Sequence, residues 1–559
     1  MNKFEVLKKY FGYDTFREGQ EKLIDSLLSG RDVLGIMPTG AGKSLCYQIP
    51  AIMLPGITIV VSPLISLMKD QVNMLNSIGI RAAYLNSSLT EKQFFLAIER
   101  AKQGTYKIIY VAPERLETPV FRDLLKYLDI SMTVIDEAHC ISQWGQDFRP
   151  SYLNIIKFIN SLGKRPVVGA FTATATLTVK EDILNTLCLD NPTILVTGFD
   201  RKNLHFEVRT PRSKLSYIRS YVAGNLGQSG IIYCSTRKNV DAVYEALLED
   251  GHKVSRYHAG MSGDERQKSQ DSFIYDETPV IVATNAFGMG INKSNVRYVI
   301  HYNMPQSIEN YYQEAGRAGR DGMDAVCILL YAKQDVVINR LLIKNKDFKE
   351  DVSDEQRLEV AARDNERLKQ MTFYCTTKGC LRKFLLNYFG ENAPQSCNSC
   401  SNCLDNREDF ELDYEYDYNS NYVAEPTKKI LKSVSVSNVD NDDKGLFEEL
   451  KKSRLQLARE SHLPPYMVFS DKTLMDMCSK KPFSKEEMLQ VHGVGLHKFE
   501  KYGEFFLDVI NNYLGGSHAH RVIVQQLTES EKGYSQSKSD AERKKRETTI
   551  VKRPKKDLS

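Results

Sequence analysis

No apolar run in this chain reaches the ~18 residues that a helical membrane span requires, which excludes a span of that kind. The opening Met-Asn-Lys-Phe-Glu-Val has none of the apolar core of a secretory leader, so a cytoplasmic protein is expected. Excess charge is also missing: a net charge of +4 over 559 residues is too small to argue a polyanionic partner by itself. Tryptophan occurs once. The cysteine spacing of a disulfide-built domain is absent; most of the eleven stand singly in apolar segments, as reduced core thiols do. What is present is an ordinary globular composition, 42% hydrophobic and 26% charged. The length exceeds what one core serves and predicts about three to five domains.

The chain is organised around residues 37–44, Met-Pro-Thr-Gly-Ala-Gly-Lys-Ser. An apolar run, Val-Leu-Gly-Ile-Met at 33–37, precedes it and Leu-Cys-Tyr-Gln-Ile-Pro at 45–50 follows, which reads as strand, turn and helix. Gly40 and Gly42 let backbone N–H groups close around a phosphate at the positive end of that helix. Lys43 then reaches the outer phosphates and Ser44 holds magnesium, with Thr39 in the same loop. A strict phosphate-loop pattern has glycine at 37, where this chain has Met. Downstream, Val-Ile-Asp-Glu-Ala-His at 134–139 ends a strand in two acids. Asp136 fits a second magnesium ligand, and Glu137 a base that orients the attacking water. Together these motifs predict a nucleotide hydrolase.

Upstream, Tyr13 and Arg17 are placed to stack on an adenine and Gln20 to read its edge, at the head of an amphipathic helix reaching about residue 28. Strands are expected at 58–61, 107–111, 134–136 and 167–172, alternating with helices, which makes a parallel sheet with functional loops at its C-terminal edge. A second sheet is expected from about 204, with strands at 231–234, 254–257, 280–283, 298–301 and 325–330. It has no phosphate loop; instead it carries Tyr-Tyr-Gln-Glu-Ala-Gly-Arg-Ala-Gly-Arg at 311–320. Arg317 and Arg320 are expected on one face of a glycine-punctuated helix, completing the nucleotide site across a cleft. Trp144 and Phe148, with Arg149 beside them, are aromatics in a polar loop just after the acids, suited to stacking on unpaired bases.

The order of these motifs resembles a superfamily 2 helicase, and the details resemble the RecQ family. The likeness covers residues 1 to about 406 and 446 to about 514, and includes Arg-Tyr-His-Ala-Gly at 256–260 and Thr-Asn-Ala-Phe-Gly-Met-Gly-Ile-Asn-Lys at 284–293. Its most specific part is Cys-Ile-Ser-Gln-Trp-Gly-Gln-Asp-Phe-Arg-Pro at 140–150, similar to the aromatic-rich loop of RecQ proteins. The resemblance implies an α/β protein with two tandem RecA-like motor domains, 1–203 and 204–335, then a helical zinc-binding module at 336–406. It implies ATP, magnesium and zinc as cofactors, a place for Gln313 at the nucleotide and a coupling role for His139. It also implies 3′-to-5′ movement on single-stranded and junction DNA in recombination, repair or replication, by a monomer that is nucleoid-associated if bacterial. Single-stranded DNA-binding protein and a topoisomerase are the partners it suggests. An RNA helicase is the rival reading, opposed by the Trp144 loop and the cysteine cluster. A nonhydrolytic DNA scaffold is another, and it would have lost Lys43, Glu137 or Arg320.

Cys397, Cys400 and Cys403 sit at metal-ligand spacing, and a closed zinc site needs a fourth thiolate. Cys375 and Cys380 are both near; the RecQ pattern points to Cys380. Residues 405–417 hold seven acids and one arginine, and 407–445 are expected to be a linker. Helical periodicity returns over 446–515, resembling the HRDC bundle, in which Lys498, Lys501 and Tyr502 are the expected DNA-facing residues. The tail 516–559 is expected to be disordered, and it is basic towards its end, with eight basic and three acidic residues from 540 to 556. The RecQ pattern has a winged-helix domain between zinc module and HRDC bundle; here the gap is too short for one.

Overall fold

The computed structural model describes residues 1–142, 148–287, 293–345, 354–404, 441–461 and 463–514. The first domain contains β1 Val33–Ile36, β2 Ile57–Val61, β3 Ala82–Leu85, β4 Ile108–Val111, β5 Ile130–Ile135, β6 Val167–Thr172 and β7 Thr193–Val196. They form one parallel sheet in the order β3-β4-β2-β5-β6-β1-β7. β1, β2 and β4 are buried along their whole length, as expected of strands covered by helices on both faces. The sequence pattern misses β3 and β7, the two edge strands, which are only four residues long and less completely buried.

The second domain contains β8 Leu204–Arg209, β9 Ser229–Tyr233, β10 Val254–Tyr257, β11 Val280–Ala283, β12 Val296–His301 and β13 Ala325–Leu330. Its parallel order is β10-β11-β9-β12-β13-β8. The topology matters at the C-terminal edges. In the first sheet β6 lies between β5 and β1, so the loop after β1 and the acids after β5 flank one strand end, at Thr172.

A helix at Asp354–Thr376 and another at Leu381–Tyr388 lead to the cysteine cluster. They pack on the second domain: Phe389 stacks on Phe199 of the interdomain hinge at 4.5 Å, and the Tyr374 hydroxyl donates to that of Tyr311 at 3.3 Å. The C-terminal bundle begins with the helix Asn441–Glu460, five residues before the expected start, and closes with Glu504–Tyr513 around Leu446, Leu450, Phe469, Leu474, Met477, Phe506 and Ile510. The expected linker, apart from its last residues, and the basic tail lie outside the described residues. No helix among the described residues is long and apolar enough to cross a membrane.

The bundle rests on the first domain through a turn. Gly12, in the left-handed conformation at φ 75°, ends the N-terminal helical segment, and a Cβ there would lie 2.5 Å from the Gly495 nitrogen and 2.8 Å from the Gly493 carbonyl carbon. Backbone therefore meets backbone with no room for a side chain. Lys8 donates to the Leu489 carbonyl at 3.0 Å, and His497 Nε2 meets the Ser77 carbonyl at 2.9 Å.

Candidate functional site

The phosphate loop turns from β1 into the helix Lys43–Met53 through Gly40 at φ 87° and Gly42 at φ 84°, both left-handed. Gly42 caps the helix, so the N-terminal N–H groups of that helix open on the loop, and the Lys43 charge acts on Asp136 and Glu137, an arrangement suited to anionic phosphates. Two residues expected at an adenine act here on the loop itself. Arg17 donates to the Gly40 carbonyl, and Gln20 Nε2 donates to the carbonyls of Ala41 and Gly42 at 3.1 Å each. Tyr13 is also placed differently from the expectation: its ring packs against His492 of the C-terminal bundle at 5.3 Å.

Across β6, Asp136 is buried and Glu137 adopts the left-handed region at φ 48°, a strained backbone of the kind concentrated at working sites. Asp136 Oδ1 accepts from the Glu137 N–H at 3.0 Å, and its carbonyl accepts from the Tyr152 hydroxyl at 2.9 Å. Burial, and then the Glu137 charge, push the Asp136 carboxyl up to about 7. Burial acts upward on Glu137 too, but Lys43, His139 and Arg317 outweigh it and hold that carboxyl down at about 2. The pair is thus differentiated: nearby cations favour the ionised form of Glu137, and Asp136 is left as a carboxyl whose charge wants a cation. Asp136 and the Ser44 hydroxyl are hard oxygen donors too few to enclose an ion, which fits magnesium that keeps water and phosphate ligands.

His139 Nδ1 lies 2.8 Å from Thr172 Oγ1 and 3.3 Å from Glu137 Oε2. Thr172 Oγ1 donates to the Thr174 carbonyl at 3.2 Å, and Gln313 Nε2 of the second domain donates to Thr174 Oγ1 at 3.3 Å. This chain connects the acids to the other sheet through Thr174, in the 172–176 loop after β6, one of the functional loops expected at the C-terminal edge of the sheet.

Arg317 and Arg320 are not on a helix, as the spacing suggests. The helix Ile308–Ala315 ends before them, and they occupy turns containing Gly316 and Gly319, the latter at φ 55°. Burial, then the charges of Arg317 and Arg201, pull Arg320 down to about 9, which marks cations gathered where anionic charge is wanted. Arg201 in the hinge belongs to this cluster and is missed by the sequence reading. Of the aromatic loop, Trp144 lies outside the described residues, whereas Phe148 is half-buried and Arg149 Nη1 donates to the Pro63 carbonyl at 3.1 Å.

The metal cluster is Cys380, Cys397, Cys400 and Cys403, whose sulfurs lie within 4.8 Å of one another. Tetrahedral zinc with Zn–S bonds of about 2.3 Å separates its sulfurs by about 3.8 Å. Cys380–Cys400 at 3.9 Å and Cys397–Cys403 at 4.0 Å fit that geometry and leave no ligand position open. Cys375 is buried in its helix and takes no part.

Two expected DNA-facing residues are instead structural. Lys498 turns its ammonium inward, donating to the Val468 carbonyl at 3.1 Å and lying over the Phe469 ring, and burial pulls it down to about 8. Tyr502 is 4% exposed in the bundle core; Lys501 remains on the surface, over the Tyr502 ring. The basic–aromatic triplet has the composition of a nucleic-acid face, but the helical turns direct the Lys498 ammonium and the Tyr502 ring inward.

Family models place these features. Residues 17–183 match the DEAD/DEAH box helicase, 213–322 the helicase conserved C-terminal domain, 333–404 the RecQ zinc-binding region and 443–510 the HRDC domain. The chain is 40% identical to the ATP-dependent DNA helicase RecQ of Bacillus subtilis over 590 residues, covering 91% of this chain and 98% of that one. It is 35% identical to the RecQ helicase of Haemophilus influenzae over 601 residues, covering 91% and 95%. A putative ATP-dependent RNA helicase of Acanthamoeba polyphaga mimivirus is 42% identical over 406 residues, 71% of each chain. The helicase MrfA bound to DNA superposes with a TM-score of 0.51 at 18% identity, over 65% of this chain and 54% of its own, a likeness of fold. On this evidence the chain belongs to the RecQ family of ATP-dependent DNA helicases.

Proposed function

We propose that this helicase translocates 3′ to 5′ on single-stranded DNA at junctions and separates long duplexes poorly unless assisted. The observation that carries the motor reading is the convergence of two half-sites on one cleft, with Thr39–Ser44, Asp136 and Glu137 on one domain and Arg317 and Arg320 on the other. Lys43 and the loop N–H groups would grip the phosphates, Ser44 and Asp136 would hold magnesium, and Glu137 would orient the water. The arginines would stabilise charge in the transition state. Magnesium, when bound, neutralises phosphate charge. The chain Glu137–His139–Thr172–Thr174–Gln313 would report the hydrolytic state to the second sheet. DNA is favoured over RNA because the relatives matched over 91% of this chain are named DNA helicases and the zinc-binding match accompanies the motor.

Weak unwinding follows from what stands between the zinc module and the bundle. The two family matches end at 404 and resume at 443. An alignment of 590 positions that engages 91% of 559 residues, about 509, also leaves about 80 positions without a residue in this chain. Both support the loss of the winged-helix domain, since domains rarely fall below ~50 residues. The family roles in recombination, repair or replication, with single-stranded DNA-binding protein and a topoisomerase as partners, are part of the same proposal. DNA-stimulated ATP hydrolysis and displacement of a block at the 5′ end of a single strand are expected, with little opening of long duplex. Grafting a winged helix between 404 and 441 should raise unwinding more than hydrolysis. Efficient opening of long duplex by the unmodified chain, or displacement of a block only at the 3′ end, would contradict this reading.

A further inference from the structure

The interdomain hinge places one guanidinium against both halves of the nucleotide site. Arg201 Nη1 donates to the carbonyls of Thr39 at 2.7 Å and Gly316 at 3.4 Å, and Nη2 to those of Ala318 at 3.0 Å and Gly319 at 2.8 Å. Nε donates to Asn203 Oδ1 at 3.3 Å. The carbonyl of Arg201 is held in turn by Arg382 of the zinc module at 2.8 Å. Thr39 belongs to the phosphate loop, and Gly316, Ala318 and Gly319 are interleaved with Arg317 and Arg320. The loops are in near contact around this group: a Cβ on Gly40 would lie 3.2 Å from Arg201 Nη1 and 3.7 Å from Arg320 Cγ, and one on Gly316 would lie 3.5 Å from Thr39 Cβ.

We propose that Arg201 is a positioning residue that fixes the arginine loop against the phosphate loop across the cleft. The proposal rests on the reading of those two loops as halves of one ATP site. A planar fork with several N–H donors can serve carbonyls on two loops at once, whereas an ammonium on a flexible stem cannot hold the same span. Because the tie engages backbone, it constrains where Arg317 and Arg320 stand relative to Lys43 without using their side chains. Such pre-positioning acts on the transition state more than on ground-state binding.

Asn203 supplies the internal comparison. Its Nδ2 donates to the carbonyls of Gly319 at 2.9 Å and Met323 at 2.7 Å, which supports the arginine loop without reaching the phosphate loop. In full-length protein, Arg201→Ala should lower DNA-stimulated kcat by about tenfold or more, with KM for ATP within about threefold. Arg201→Lys should recover only a minor part of the loss. Hydrogen exchange on the nucleotide-free protein should quicken over both 37–45 and 315–323 in Arg201→Ala, but only over 315–323 in Asn203→Ala. If Arg201→Ala kept kcat within about twofold, or left exchange over 37–45 unchanged, the cross-cleft tie would be rejected. Should Arg201→Ala fail to fold, Arg201→Lys carries the same test, and exchange unchanged over 37–45 rejects the tie. Normal hydrolysis by Lys43→Ala would instead overturn the site assignment, and the exchange pattern separates the two failures.

Discussion

Glu137→Gln is expected to hold ATP and fail to hydrolyse it, with kcat lower by roughly 10²–10⁴-fold. The amide keeps the shape and the strained backbone seat but loses the charge that orients water. In the native site Lys43, His139 and Arg317 overcome burial and keep this carboxyl at about 2. A carboxyl depressed in this way is ionised above its folded pKa, so the native enzyme should show no loss of rate from Glu137 titration between pH 6 and pH 9. Binding of a fluorescent ATP analogue measures the first half of the expectation, and phosphate release the second. Nucleotide affinity falling in step with hydrolysis would show that Glu137 supports the phosphate grip instead.

Cys400→Ser should bring bound zinc from one ion per chain to almost none. Apparent free energies of structural zinc binding run to ~10–16 kcal/mol, and with no preformed site in the unfolded chain that binding energy becomes folding energy. Cys400 is fully buried, and Ser401 next to it donates its N–H to the Phe206 carbonyl of β8 at 3.0 Å, so the cluster is fastened directly to the second sheet. Its collapse should also loosen the helix Leu381–Tyr388 and the Arg382 contacts to Asp200 and to the Arg201 carbonyl. Metal analysis and thermal unfolding of the full chain are the measurements. Two ions per chain in the native protein, or full zinc content in the variant, would refute the single closed site.

The sequence was most readable where chemistry leaves few residue choices. Glycines at a phosphate, adjacent acids at a strand end and cysteines at metal spacing each name their partner. The interior strands were legible for a different reason, since burial on both faces yields continuous apolar runs. Edge strands β3 and β7 lack that pressure and were missed. Arg201 was illegible because its partners are carbonyls, which every residue carries and no sequence pattern advertises. Lys498 shows the opposite failure. A cation beside an aromatic looks like a nucleic-acid contact, yet Phe469, twenty-nine positions earlier, supplies the ring that the ammonium covers.

The Gly12–Gly495 seam bears on how this protein can be dissected. Alanine scanning reports on an interface by deleting atoms, and here the decisive contact has no side-chain atoms to delete. A truncation survey of the bundle surface would score its neighbours and leave this point silent. The informative change is an addition: the single methyl of Gly12→Ala meets backbone 2.5 Å away, at a φ that L side chains rarely adopt. It should pry the bundle off the motor and shift it into the faster-tumbling population seen by fluorescence anisotropy of a label on the bundle, while zinc content stays at the native level.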